Sequence, residues 1–103
     1  MAKGDYERII LADADLTGIY FGGANLKRGI FRRAILKNAN LRDADFSHAD
    51  LRDADLSGAH LACVNLCGAN LTGANLHNAN LWGAIFDSAT IMPDGTFWAG
   101  DEN

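Results

Sequence analysis

The sequence predicts an all-β solenoid, a chain wound as short strand, corner, short strand, corner around an apolar bore. Three observations carry that prediction. Every fifth residue from Leu11 to Ile91 is Leu, Phe or Ile, 17 positions without a break. Two places before each stands a small residue, Ala in 13 of the 17; Ile9, Ile19, Gly29 and Val64 are the exceptions. Two places after it stand bend formers such as Gly18, Gly58, Asn38 and Asp43. A fixed internal period decides the architecture before any other feature.

Let i denote the Leu/Phe/Ile position. Ala and Leu alone would favour helix, but five residues advance a helix by roughly 500°, about 140° net, and leave no apolar face. A continuous strand fails as well, because an odd repeat flips the apolar set at every step. The pattern survives if i−2 and i point inward, i−1 and i+1 point outward, and i+2 forms a corner. The interior is then a set of stacked columns, Leu16, Leu36, Leu56 and Leu76 on one side and Leu26, Phe46, Leu66 and Phe86 on another.

Stretches such as Ala44-Asp45-Phe46 and Ala74-Asn75-Leu76 give the consensus Ala-(Asp/Asn)-Leu-x-x. It resembles the pentapeptide-repeat family over 85 of the 103 residues. The resemblance implies a right-handed quadrilateral parallel β-helix with four repeats per coil, hence about four coils here. The period itself leaves the coil length open. A 20-residue coil stacks Asp13, Arg33 and Asp53, and a 15-residue coil stacks Asp13, Arg28 and Asp43.

In chain order, residues 1–8 are expected to be an N-terminal cap or degenerate first repeat, with Tyr6 in the middle slot. Residues 9–93 form the β-helix. In their first part, apolar Ile10, Tyr20, Ile30 and Ile35 take outward slots, and Ile10 and Ile30 become vertical neighbours under 20-residue stacking. Exposed apolar groups of this kind mark a candidate contact surface. Residues 27–42 are basic, with Lys27, Arg28, Arg32, Arg33, Lys37 and Arg42 and no acid. They are read as a belt around all four sides, expected to pair with Asp43, Asp45, Asp50, Asp53 and Asp55 one coil on, each exposed pair worth about 0–1 kcal/mol. After Arg52 there is no Lys or Arg; residues 53–103 carry a net −6 against +2 for residues 1–52. Residues 94–103 are read as a C-terminal lid and mobile tail. Phe97 and Trp98 either fold over the last coil or make an end-to-end dimer contact, and outward Trp82 serves either arrangement.

The net charge of −4 is ordinary and names no nucleic-acid partner. No apolar run approaches the ~20 residues of a membrane span, and the polar start, Met1 to Arg8, has no signal-peptide core. A cytoplasmic protein is expected. Cys63 and Cys67, four positions apart across a bend, are expected to stay unpaired. His48, His60 and His77 fall on three sides, and a filled bore leaves no pocket for a tuned acid or base. No catalytic, metal or cofactor site is expected. The leading reading is a rigid, non-catalytic protein-interaction scaffold, monomeric or an end-to-end dimer, with no small-molecule substrate and nucleic acid disfavoured. Its candidate surface comprises Ile10, Ile30, Arg32, Arg33, Lys37 and Trp82, with Phe97 and Trp98 as end cap or dimer contact. The alternative implied by the resemblance is a DNA-mimic inhibitor of a type II topoisomerase, gyrase. Small members of the family are abundant in cyanobacteria, so that source is expected.

Overall fold

The computed structural model describes residues 4–100. It is a right-handed quadrilateral parallel β-helix of about four coils, with no helix among the described residues. Asp5 pairs with Asn25, Ile10 with Ile30, Asp15 with Ile35 and Tyr20 with Asn40, each pair parallel. The constant sequence separation in these pairs is 20. That spacing means four repeats per coil, which settles the coil length left open by the period. The i−1 residues define the sides: the first carries Asp5, Asn25, Asp45 and Asn65; the second Ile10, Ile30, Asp50 and Asn70; the third Asp15, Ile35, Asp55 and Asn75; the fourth Tyr20, Asn40, His60 and Asn80.

Each side is a very short strand because the backbone bends after every repeat. Every i+2 residue from Arg8 to Gly83 has φ between 57° and 74°. The turn closes when the next small residue donates back to the middle one, as Ala44 N–H does to Leu41 O at 3.0 Å. Between coils the ladder is regular: Leu11 N–H donates to Ile30 O, and Ile30 N–H to Ile9 O, both at 2.8 Å. The bore is filled by the predicted columns. Leu26, Phe46 and Leu66 are fully buried on the first side, Phe31, Leu51 and Leu71 on the second, and the Phe31 and Phe46 rings meet edge to face at 5.2 Å.

Gly4 to Arg8 take the form of a first repeat. Asp5 joins the ladder, and Tyr6 packs on Phe21 at 5.3 Å. The other end departs from the predicted phase. Asn65 pairs with Ile85, one full coil on, but Asn70 pairs with Ile91, one position beyond a full coil. One residue is inserted after Phe86, so Ile91 is an outward residue, not a middle one. Thr90 takes the small inward slot, fully buried, and Met92 takes the middle slot. The physical reason lies in Pro93. In the unbroken phase it would sit at i+2, where every repeat from Arg8 to Gly83 has positive φ, and the pyrrolidine ring locks proline at negative φ.

Hydrogen bonds close the inserted residue. Asp87 Oδ1 accepts from Gly68 N–H at 3.0 Å, in place of the carbonyl that the ladder supplies elsewhere. The Thr90 hydroxyl donates to Leu66 O at 2.8 Å and accepts from Asp87 N–H at 3.1 Å. Burial alone would raise the Asp87 pKa, but the Gly68 and Ala89 amides and Thr90 together hold it below the usual carboxylate value. Beyond Met92 the chain turns through Pro93-Asp94-Gly95 and returns antiparallel, Phe97 pairing with Ile91. The returning segment therefore follows Gly95, with Thr96 O accepting from Met92 N–H at 2.7 Å. Asp101, Glu102 and Asn103, expected from the sequence to be mobile, lie outside the described residues.

Candidate interaction surface

Most outward residues are engaged locally, which singles out the ones that are not. Where i−1 is Asp or Asn, its side chain accepts from the backbone N–H of i+1. Ser47 N–H donates to Asp45 at 2.9 Å, and Cys67 N–H to Asn65 at 2.9 Å. A Ser or Thr at i+1 adds its hydroxyl to the same oxygen, as Ser57 does to Asp55 and Thr72 to Asn70, both at 2.6 Å. These bonds hold the Asp15 and Asp55 carboxyls below their ordinary range, the hydroxyls of Thr17 and Ser57 being the main cause. The Asp/Asn preference at i−1 is thus a capping device. Sequence reasoning placed these residues outside; the amide that each one binds, two residues on, is what the structure adds.

The device is missing where Ile10, Tyr20, Ile30 and Ile35 stand at i−1. Ile10 is 74% exposed and Tyr20 53%. Ile10 and Ile30 are stacked on the second side, while Ile35 and Tyr20 lie on the third and fourth.

The basic residues do encircle the second coil, but their expected pairing with the acids of the third coil is not what forms. Arg33 reaches back to Asp13 of the first coil, its Nε and Nη2 bonding both carboxylate oxygens at 2.7 and 2.9 Å. The Arg33 hydrogen bond holds the Asp13 pKa down. Arg52 pairs with Asp50 within its own repeat at 2.7 Å, and Arg42 is 3.8 Å from Asp43. Among the described residues Arg8, Lys27, Arg28, Arg32 and Lys37 make no ion pair. Arg8 and Arg28 stack at the corner leading into the second side, and Arg32 follows Ile30 on it. This side therefore brings Ile10, Ile30, Arg32 and Arg33 together.

Two predicted members lie elsewhere. Lys37 is on the third side, and Trp82, 73% exposed, is on the fourth side of the last full coil. Phe97 and Trp98 divide their roles. The Trp98 ring stacks on Phe86 at 5.7 Å across the end of the bore, whereas Phe97 is 63% exposed.

The surface offers little to chemistry. An open dip of about 300 Å³ lies beside Tyr20, Gly22, Gly23, Asn40, Arg42 and Asp43. No group of three or more potential metal ligands exists among the described residues, and His48, His60 and His77 stand apart. Cys63 and Cys67 are free thiols, and burial raises the Cys67 pKa, with Asp87 and Asp45 adding to it. No helix is long and apolar enough to cross a membrane among those residues.

Similarity to known proteins matches this picture. The family described as pentapeptide repeats matches residues 14–53 and 49–87, in eight copies. Among solved structures, a pentapeptide repeat protein from the cyanobacterium Nostoc is 38% identical, with a TM-score of 0.63, over 92% of this chain and 74% of that one. A pentapeptide repeat protein of the Arabidopsis thaliana thylakoid lumen is 33% identical, TM-score 0.44, over 86% of this chain and 63% of its own length. One from the cyanobacterium Cyanothece is 33% identical, TM-score 0.39, over 85% and 63%. The chain thus spans under two thirds of the last two. No curated protein matches. The Nostoc relative is cyanobacterial, the group expected from the sequence.

Proposed function

The chain belongs to the pentapeptide-repeat family, and from that premise we propose that it is a non-catalytic scaffold, a rigid rod that holds a protein partner against its second side. One observation carries the proposal: Arg8, Arg28 and Arg32, without ion pairs among the described residues, frame Ile10 and Ile30 on a flat ladder. Apolar groups fenced by unpaired arginines suit a protein surface, since arginine is enriched at interface cores and lysine is not. Catalysis is disfavoured because the bore is filled and most outward carboxylates are committed to turn amides, hydroxyls and arginines, leaving no sheltered acid or base. We place the protein in the cytoplasm, where free thiols such as Cys63 and Cys67 persist.

The test is an affinity capture from extract of the source organism, with the wild type beside an Ile10→Asn, Arg28→Glu, Arg32→Glu variant. A protein retained by the wild type and lost by the folded variant is the expected result. A partner retained by both moves the binding surface elsewhere. Inhibition of gyrase by DNA mimicry has less support, because unpaired Lys27, Arg28, Arg32 and Lys37 interrupt any acidic column. Unimpaired supercoiling at high molar excess is expected.

A further inference from the structure

We propose that the partner fitted to the second side is a second copy of this chain, laid antiparallel against the same side. This rests on the scaffold reading and names its partner. From the N-terminal to the C-terminal end, the outward column of that side reads Ile10, Ile30, Asp50, Asn70, Ile91 and Phe97. It is apolar at both ends and polar in the middle. A twofold axis between the Asp50 and Asn70 levels sets Ile10 against Phe97 of the partner subunit and Ile30 against Ile91 of the partner subunit. An isologous contact requires this kind of self-complementarity.

The charges obey the same symmetry. The corner column entering the second side begins with Arg8 and Arg28, unpaired among the described residues. It ends at Asp87, whose carboxylate lies under the Gly68 amide. Inversion of the rod sets Arg28 level with Asp87 of the partner subunit, on the same edge of the contact. A parallel pairing would set the arginine corner against the Asp13–Arg33 corner instead, with Arg28 level with Arg33 of the partner subunit. The polar middle is partly satisfied within the chain. Arg52 holds Asp50 at 2.7 Å, and the Thr72 hydroxyl donates to Asn70 Oδ1 at 2.6 Å, which lowers the cost of covering them. Six ladder levels span about 24 Å. This narrow strip buries less than the roughly 800 Å² per partner of a standard interface, so the dimer is a weak one, micromolar or looser, and sensitive to salt.

Sedimentation of the full chain from about 5 to 500 μM in low salt tests the proposal. A monomer–dimer equilibrium is expected, weakened roughly tenfold in high salt. Ile10→Asn and Arg28→Glu, both at exposed positions, should each leave a folded monomer by thermal melt. Ser88→Arg sits beside Asp87, so mixing it with Arg28→Glu should restore a mixed dimer, because the introduced carboxylate of one variant faces the introduced guanidinium of the other only in the antiparallel arrangement. A wild type that stays monomeric throughout that range overturns the proposal, as does a dimer indifferent to both variants or one that the mixture fails to restore. A monomeric wild type that still captures another protein through Ile10 overturns the dimer and leaves the scaffold standing.

Discussion

Replacing Leu56 with Ala should cost about 3–4 kcal/mol, while the same change at Leu76 should cost about 1–2 kcal/mol. Both belong to one column on the third side. Leu56 is 1% exposed, with fully buried Leu36 above it and Leu76 below. Removing three carbons forfeits about 2.4 kcal/mol of transfer free energy. A cavity adds to that wherever the surroundings cannot close. Here they cannot, because the coils are pinned on both flanks. Leu36 N–H donates to Asp55 O at 2.7 Å and Asp55 N–H to Ala34 O at 2.9 Å; Leu56 N–H donates to Asn75 O at 2.8 Å and Asn75 N–H to Ala54 O at 2.9 Å. Leu76 lies on the last coil of that side and is only partly buried, so water reaches the space and the cavity contribution falls away. Urea unfolding followed by circular dichroism measures both, and equal slopes would license the comparison. Equal losses at the two positions, or a loss below about 1 kcal/mol at Leu56, would refute the pinned-column reasoning.

Four further outcomes follow from the same geometry. Thr90→Val should cost about 1–3 kcal/mol, since it strips the Leu66 carbonyl of one of its two donors, Ala69 N–H remaining, and Asp87 N–H of its acceptor; a neutral result by thermal melt would mean that the inserted residue holds itself. Gly18→Ala should cost about 1 kcal/mol from φ alone, because the new Cβ meets nothing, and Gly73→Ala should cost more, because its Cβ meets the Asp53 carboxylate at nearly the same φ. Asp15, Asp50, Asp55 and Asp94 have folded pKa values below the ordinary 3.8; their stabilisation is present above that value and is lost as pH falls through the folded values, so acid unfolding should begin below about pH 4 and survive added salt where Thr17, Ser57 and Thr96 are the partners. Ile10→Asn should raise stability by about 0.5–1.5 kcal/mol, because the amide supplies an acceptor for Ala12 N–H, and an unchanged melting temperature would count against the capping role.

The coil and its interior were legible because one residue type per slot repeats often enough to fix the phase, and burial follows directly from phase. The C-terminal slip was legible too, though only through backbone chemistry. In the unbroken phase Ser88 and Pro93 would take the positive-φ corner, and proline cannot. Counting apolar residues hid this, since Ala89 and Ile91 keep the five-residue rhythm by coincidence of type. The basic belt was placed correctly around the rod. Its pairing was not legible, because Arg33 has acids both above and below it in the same corner, Asp13 and Asp53. The choice of Asp13 depends on rotamers that no spacing encodes. Trp82 and Lys37 were grouped with the isoleucines on exposure and charge, and only the side of the coil separates them.

Ile10 on the second side requires an explanation that folding does not provide. At i−1 the fold rewards Asp or Asn with a hydrogen bond to the turn, and Asp50 and Asn70 on this same side take it. Ile10 forgoes that bond and gains little burial in exchange, being three-quarters exposed. Ladder stacking on Ile30 shields one flank only. A residue that gives up a local bond and stays in water is stabilised by neither effect, and under the scaffold proposal its contribution lies in contact with something outside the coil. Ile35 has no such status, because it is only partly exposed and stacks between Asp15 and Asp55. Ile10 is therefore the position where stability and association should move in opposite directions, the expected signature of a surface kept for binding at some cost to the fold.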